Sequence, residues 1–137
     1  MRVVLDTNVL ISAFLFEKRL GKIIKLVEER DIIPCFVVHT FEEFKRTLRY
    51  KNFDAVFLKA ELSPDEIAGE IYDKSLILDN PKIIPSILPH HNPDNYILAA
   101  GQVADAKYIV TGDKLLLSLK TFENIPTIPP REFLKKF

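Results

Sequence analysis

NPDNYILAAGQVADAKYIVTGDK, residues 92–114, decides the fold. Asn92 and Pro93 read as a helix start, and the apolar run from Tyr96 to Ala106 follows a helical period. The pattern then changes to a short β-branched run, Tyr108–Thr111, which stops at Gly112-Asp113. Asp94 thus opens a helix and Asp113 closes a strand. A third acid, Asp6, closes another apolar strand near the start, Arg2-Val3-Val4-Leu5-Asp6. Three carboxylates at element ends, far apart along the chain, predict one acidic pocket. Such a pocket suits a hard divalent ion, and an ion beside phosphate points to a nuclease.

Outward from these segments, helices alternate with strands. Thr7–Phe16 reads as a helix, Lys18–Arg30 as a second, and Cys35–Val38 as a buried strand. Thr40 is placed as the cap of the next helix, with Glu43 at capping-box spacing. A weaker helical pattern covers 50–62. Ser63-Pro64-Asp65-Glu66 is a strong helix start, running to about Lys74. Leu76–Leu78 and Ile83–Ile84 read as short strands, Lys114–Leu119 as a short helix, Thr127-Ile128 as a last strand, and Pro129-Pro130 as the lead into a final helix. The alternation predicts one α/β domain over 1–137 with a mainly parallel sheet. Its site is expected at the carboxyl ends of the strands.

Composition narrows the class. The chain has 137 residues, 47% hydrophobic and 28% charged, as expected of a soluble globular protein. No apolar run is long enough for a membrane span, and Met1-Arg2 leading directly into a strand is unlike a signal peptide. The one cysteine, Cys35, excludes an internal disulfide, and a cytoplasmic location is expected. It lies in an apolar strand and reads as a core thiol. The net charge of +0 lacks the basic excess usual in nucleic-acid binders, although local patches set the field.

Each acid also has a structural reading. Asp6 and Asp113 could cap helices, and Asp94 could favour a helix dipole behind an Asn92 cap. Glu42 and Glu43 flank the buried stripe of Phe41, Phe44 and Leu48. Glu42 has Arg46 four residues on, an exposed-pair spacing. Glu43 has Thr47 there, so Glu43 is the better ligand candidate. Thr7, Asn8 and Thr111 could orient carboxylates or bound water. The histidines His39, His90 and His91 have no zinc spacing. No phosphate-binding glycine loop or serine-hydrolase elbow occurs.

Four motifs in order resemble the PIN-domain ribonucleases: Leu5-Asp6-Thr7-Asn8, Glu43–Leu48, Asp94–Ala99 and Tyr108–Lys114. The tail Ile128–Leu134 is similar to the family's closing strand and helix. The resemblance implies a three-layer α/β/α domain with a twisted, mainly parallel sheet. It also implies a pocket of Asp6, Glu43, Asp94 and Asp113, with the three aspartates holding Mg²⁺ or Mn²⁺. The activity implied is cleavage of single-stranded RNA to 5′-phosphate and 3′-hydroxyl ends. Many small members are VapBC-type toxins, usually homodimers silenced by a small antitoxin protein. Arg46, Arg49 and Lys114 are the cations placed to guide RNA, and Tyr96 is either a stacking platform or a rim residue. Two positions depart from the pattern: Leu115 and Asn92 stand where relatives often carry acids, which weakens the case for a second ion. The other readings that remain are a PIN-like module that binds without cutting, and a nuclease of RNA processing that is not a toxin. Phosphatase and phosphoacceptor readings fail, because Asn8 and the Val37-Val38-His39 strand end lack the acids they require.

Overall fold

A computed structural model describes residues 1–15 and 17–137 of the chain. Its elements are β1 (Arg2–Leu5), α1 (Thr7–Leu15), α2 (Glu17–Glu28), β2 (Ile33–Val37), α3 (Val38–Leu48), α4 (Lys51–Lys59) and α5 (Pro64–Lys74). They continue with β3 (Leu76–Leu78), α6 (Asn95–Ala104), β4 (Tyr108–Val110), α7 (Lys114–Ser118), β5 (Thr121–Phe122), β6 (Ile125–Ile128) and α8 (Pro130–Leu134). Phe16, where the sequence ends the first helix, lies outside the described residues.

The sheet order is β3-β2-β1-β4-β6-β5, parallel except for the β5–β6 pair. Val4 pairs with Ile109, Cys35 with Leu76, and Val110 with Ile128. Strand order reverses between β1 and β4, so a crevice opens beyond the carboxyl ends of those two strands. Period-two alternation gives the sheet two apolar faces. Val3, Leu5, Phe36 and Val110 pack with α1 to α5 and α8. Val4, Cys35, Val37 and Ile109 pack with α6 and α7. The result is a mostly parallel sheet between two helical layers.

Local chemistry explains most boundaries. Ser63 caps α5, its hydroxyl accepting the Glu66 N–H at 3.1 Å, with Pro64 in the first turn. Thr40 does not cap α3. The chain enters that helix directly from β2 at Val38, and the Thr40 hydroxyl reaches back, accepting the Val37 N–H at 3.0 Å and donating to the Val37 carbonyl at 2.9 Å. The β-branched Val37-Val38 pair reads as strand continuation, which is why sequence alone moves the boundary. Ile83–Ile84 is not a strand: Ile83 is 86% exposed, and segment 79–92 is irregular. The β5–β6 hairpin was not foreseen. It turns on Glu123 and Asn124, both left-handed (φ 50° and 65°), without the Asn-Gly pair that usually signals such a turn.

Phe44 is fully buried among Phe36 and Phe41. Phe44→Ala should cost about 3–5 kcal/mol in denaturant unfolding. Leu58→Ala, at an 81% exposed position, should change stability by less than about 0.5 kcal/mol.

Candidate active site

Asp6 follows β1 directly, and its N–H still bonds the Val110 carbonyl of β4 at 3.0 Å. The two strand ends are therefore held in register where the acids begin. Thr111 comes next on the β4 side and is fully buried. Its hydroxyl donates to Asp6 Oδ2 at 2.8 Å and accepts the Asp113 N–H at 3.0 Å. Asp113 caps α7: its Oδ1 accepts the N–H groups of Leu115 at 2.8 Å and Leu116 at 3.1 Å. That commits one carboxylate oxygen to the fold and leaves the other to the pocket.

Asp94 stands at the start of α6 without capping it. Asn92 does that work, its side-chain oxygen accepting the Asp94 N–H at 2.8 Å. The first turn is tight, with Asn95 and Tyr96 N–H groups bonded to the carbonyls of Asn92 and Pro93, so the regular helix starts two residues later than the sequence suggests. Glu43 enters from the second turn of α3.

Asp6, Glu43, Asp94 and Asp113 line one cavity of about 480 Å³, with Thr7, Asn8 and Gly112. Thr47 and Tyr50, which sequence reasoning did not place there, complete its wall. The acids feel one another. Burial is the main cause that raises the Asp6 carboxyl above its ordinary range; the Thr111 hydroxyl opposes this and the Asp113 charge adds to it. Asp94 is pushed up to about 6, first by burial and then by the charges of Asp6, Asp113 and Glu43.

Glu43 lines this cavity and Glu42 does not. Glu42 is exposed and pairs with Lys45 at 3.0 Å, not with Arg46 as the spacing suggested. Arg46 and Arg49 line a separate groove with Glu42 and Asp65, and Arg49 is paired with Asp65. Neither lines the acid cavity. Lys114 is exposed at the first residue of α7, next to Asp113. His39 stacks on Tyr96, ring centroids 3.7 Å apart and planes 8° from parallel. This contact ties α3 to α6, one helical turn before Glu43 and two residues after Asp94.

The donor set is all oxygen, which suits Mg²⁺ or Mn²⁺ and not zinc. Among the described residues, no group of three His, Cys, Asp or Glu side chains is placed to hold an ion between them. A hard ion that keeps several waters needs only one or two direct carboxylates, so the residues fit it in that looser form. A Cβ placed on Gly112 would meet no atom within 4 Å, so the space above it is open.

A family model described as the PIN domain matches residues 2–115. The chain belongs to the PIN-domain family, whose members are generally metal-dependent nucleases. A solved structure, VapBC2 from Rickettsia felis bound to a DNA fragment from its promoter, aligns with a TM-score of 0.58 at 13% identity, over 94% of this chain and 98% of that one. At that identity the likeness is one of fold. No curated protein matches the chain. Among the described residues, no helix is long and apolar enough to cross a membrane.

The raised Asp94 carboxyl carries a signed pH dependence. Folding favours its protonated form, so its contribution to stability is complete below about 3.8 and is lost as pH rises through about 6. Asp94→Asn removes that loss. Without added ions, the variant should melt several degrees above the parent at about pH 7.5, and the gap should close toward about pH 4. A gap independent of pH in thermal melts would reject charge repulsion as its cause.

Proposed function

We propose that the protein is a Mg²⁺- or Mn²⁺-dependent endoribonuclease acting on single-stranded RNA, and the toxin of a VapBC-type pair. The observation that carries this reading is the set of four carboxylates, from four separate elements, lining one cavity at the carboxyl edge of the sheet. Asp6, Asp94 and Asp113 would hold the ion, directly or through water. A bound Mg²⁺ or Mn²⁺ would supply Lewis acidity at the phosphoryl oxygens and a more acidic water. Glu43 faces the same cavity from α3 and accepts a proton from the attacking water. Thr111 fixes one oxygen of Asp6 and so selects which oxygen faces the ion. Thr7 and Asn8 border the site and order its water. Lys114, beside Asp113, draws in the phosphate backbone; Arg46 and Arg49 act farther along the strand, from the neighbouring groove.

The likeness to a VapBC2 structure supports a small antitoxin protein as partner, and the toxin reading carries a homodimer with it. The lack of a three-ligand cluster placed to hold an ion, among the described residues, favours a second reading, a module that binds RNA without cutting it.

Purified protein should cut single-stranded RNA with Mg²⁺ or Mn²⁺ and not with chelator. Asp6→Asn and Glu43→Gln should each slow cutting about a hundredfold or more, and Glu42→Gln should leave it within about twofold. Equal loss in Glu42→Gln and Glu43→Gln would reject the role given to Glu43. Folded, antitoxin-free protein that cuts with neither ion would establish the binding module instead.

A further inference from the structure

The N-terminal end of α6 borders two cavities. Asp94 lines the acid pocket, while Asn92, Asn95 and Tyr96 line a second cleft of about 490 Å³. The opposite wall of that cleft is the irregular segment carrying Leu88, His90 and His91. This wall is firmly built. The buried Asn95 amide grips the backbone of Leu88 from both sides, accepting its N–H at 3.0 Å and donating to its carbonyl at 3.1 Å. Leu88 itself is buried in the core beneath α6. His90 and His91 are both left-handed, with φ of 60° and 51°, so the chain turns sharply at the cleft mouth. Across from them, the Tyr96 ring is fixed in orientation by its stack on His39.

The lining chemistry selects the ligand. Among the described residues, no Lys, Arg, Asp or Glu borders the cleft, so it offers a phosphate no fixed countercharge. It offers an aromatic ring, prolines, an amide and two imidazoles, which suit a flat, neutral heterocycle with polar edges. A sugar links such a heterocycle to a phosphate at the adjoining acid pocket.

We propose that this cleft is a nucleobase subsite, holding the unpaired base next to the phosphate bound at the acid pocket and so setting the sequence preference of the cut. The proposal rests on the ribonuclease reading of that pocket. Tyr96 supplies the aromatic wall, and His90, His91 and Asn92 face the polar edge of the base.

The test uses a fluorescent oligoribonucleotide of about ten nucleotides, with Mg²⁺ and in the Asp6→Asn background so that it stays intact. A matched abasic strand serves as control. The paired change His90→Gly with His91→Gly should keep or raise the melting temperature, because glycine takes left-handed φ without cost. It should weaken oligonucleotide binding about tenfold, leave the abasic strand unaffected, and flatten base preference at one position beside the cut on a degenerate RNA pool when Asp6 is intact. Tyr96→Ala should act in the same direction and Tyr96→Phe should retain binding. Folded variants with unchanged affinity and cut-site profile would overturn the subsite, as would equal losses on the abasic strand. If protein with intact Asp6 does not cut, the nuclease reading fails and the binding measurements decide alone: base-dependent loss in the variants supports the subsite, and no change overturns it.

Discussion

The Thr111 hydroxyl joins the two strand ends on which the acid pocket is built, donating to the Asp6 carboxylate and accepting the Asp113 amide. A fully buried hydroxyl with both partners satisfied is rigid and costly to disturb. It ties the residue after β1 to the residue that caps α7, across the point where strand order reverses. Asp6, left alone at the end of an apolar strand, would carry its desolvation without compensation. The rest of the site is arranged around this pair: α3 brings Glu43 to it, and α6 brings Asp94.

Four acids in one cavity oppose folding, and the fold reduces that opposition in specific ways. Asp94 and Asp113 stand at helix N-termini, where the peptide dipoles favour negative charge. Asp113 gains two backbone hydrogen bonds in addition. Asp94 gains no such bonds from its side chain, and it is the acid whose carboxyl is pushed up to about 6. A cation that binds only the folded chain would relieve the remaining repulsion and stabilise it by mass action.

The parallel alternation and the acids at element ends were legible in the sequence because they depend on local pattern, while the sheet between two helical layers followed from the family resemblance. Hydrophobic runs mark β1 and β4, Ser63-Pro64 marks α5, and a missing cation partner separates Glu43 from Glu42. What was not legible depended on contacts between distant segments. Thr40 resembles a helix cap until the Val37 backbone that it grips is known. Arg46 has the right spacing for Glu42, but Lys45 takes that carboxylate. Arg49 has no acid at helical spacing, and its partner Asp65 arrives only with α5. The left-handed pair at Glu123-Asn124 and the Asn95 clamp on Leu88 leave no periodic trace, because each is a single contact rather than a repeat.

Cys35 sits in β2 beneath α6, about 1% exposed, and burial pushes its thiol up to about 11. At neutral pH it is almost wholly protonated, and only the thiolate is nucleophilic. The chain thus carries a single thiol, which electrophiles cannot reach while the sheet is closed. Because it pairs with the β3 edge and packs against the helix that presents Asp94, its alkylation rate reports how often that half of the molecule opens. The protein contains its own clock for local unfolding, with no label or engineered residue required.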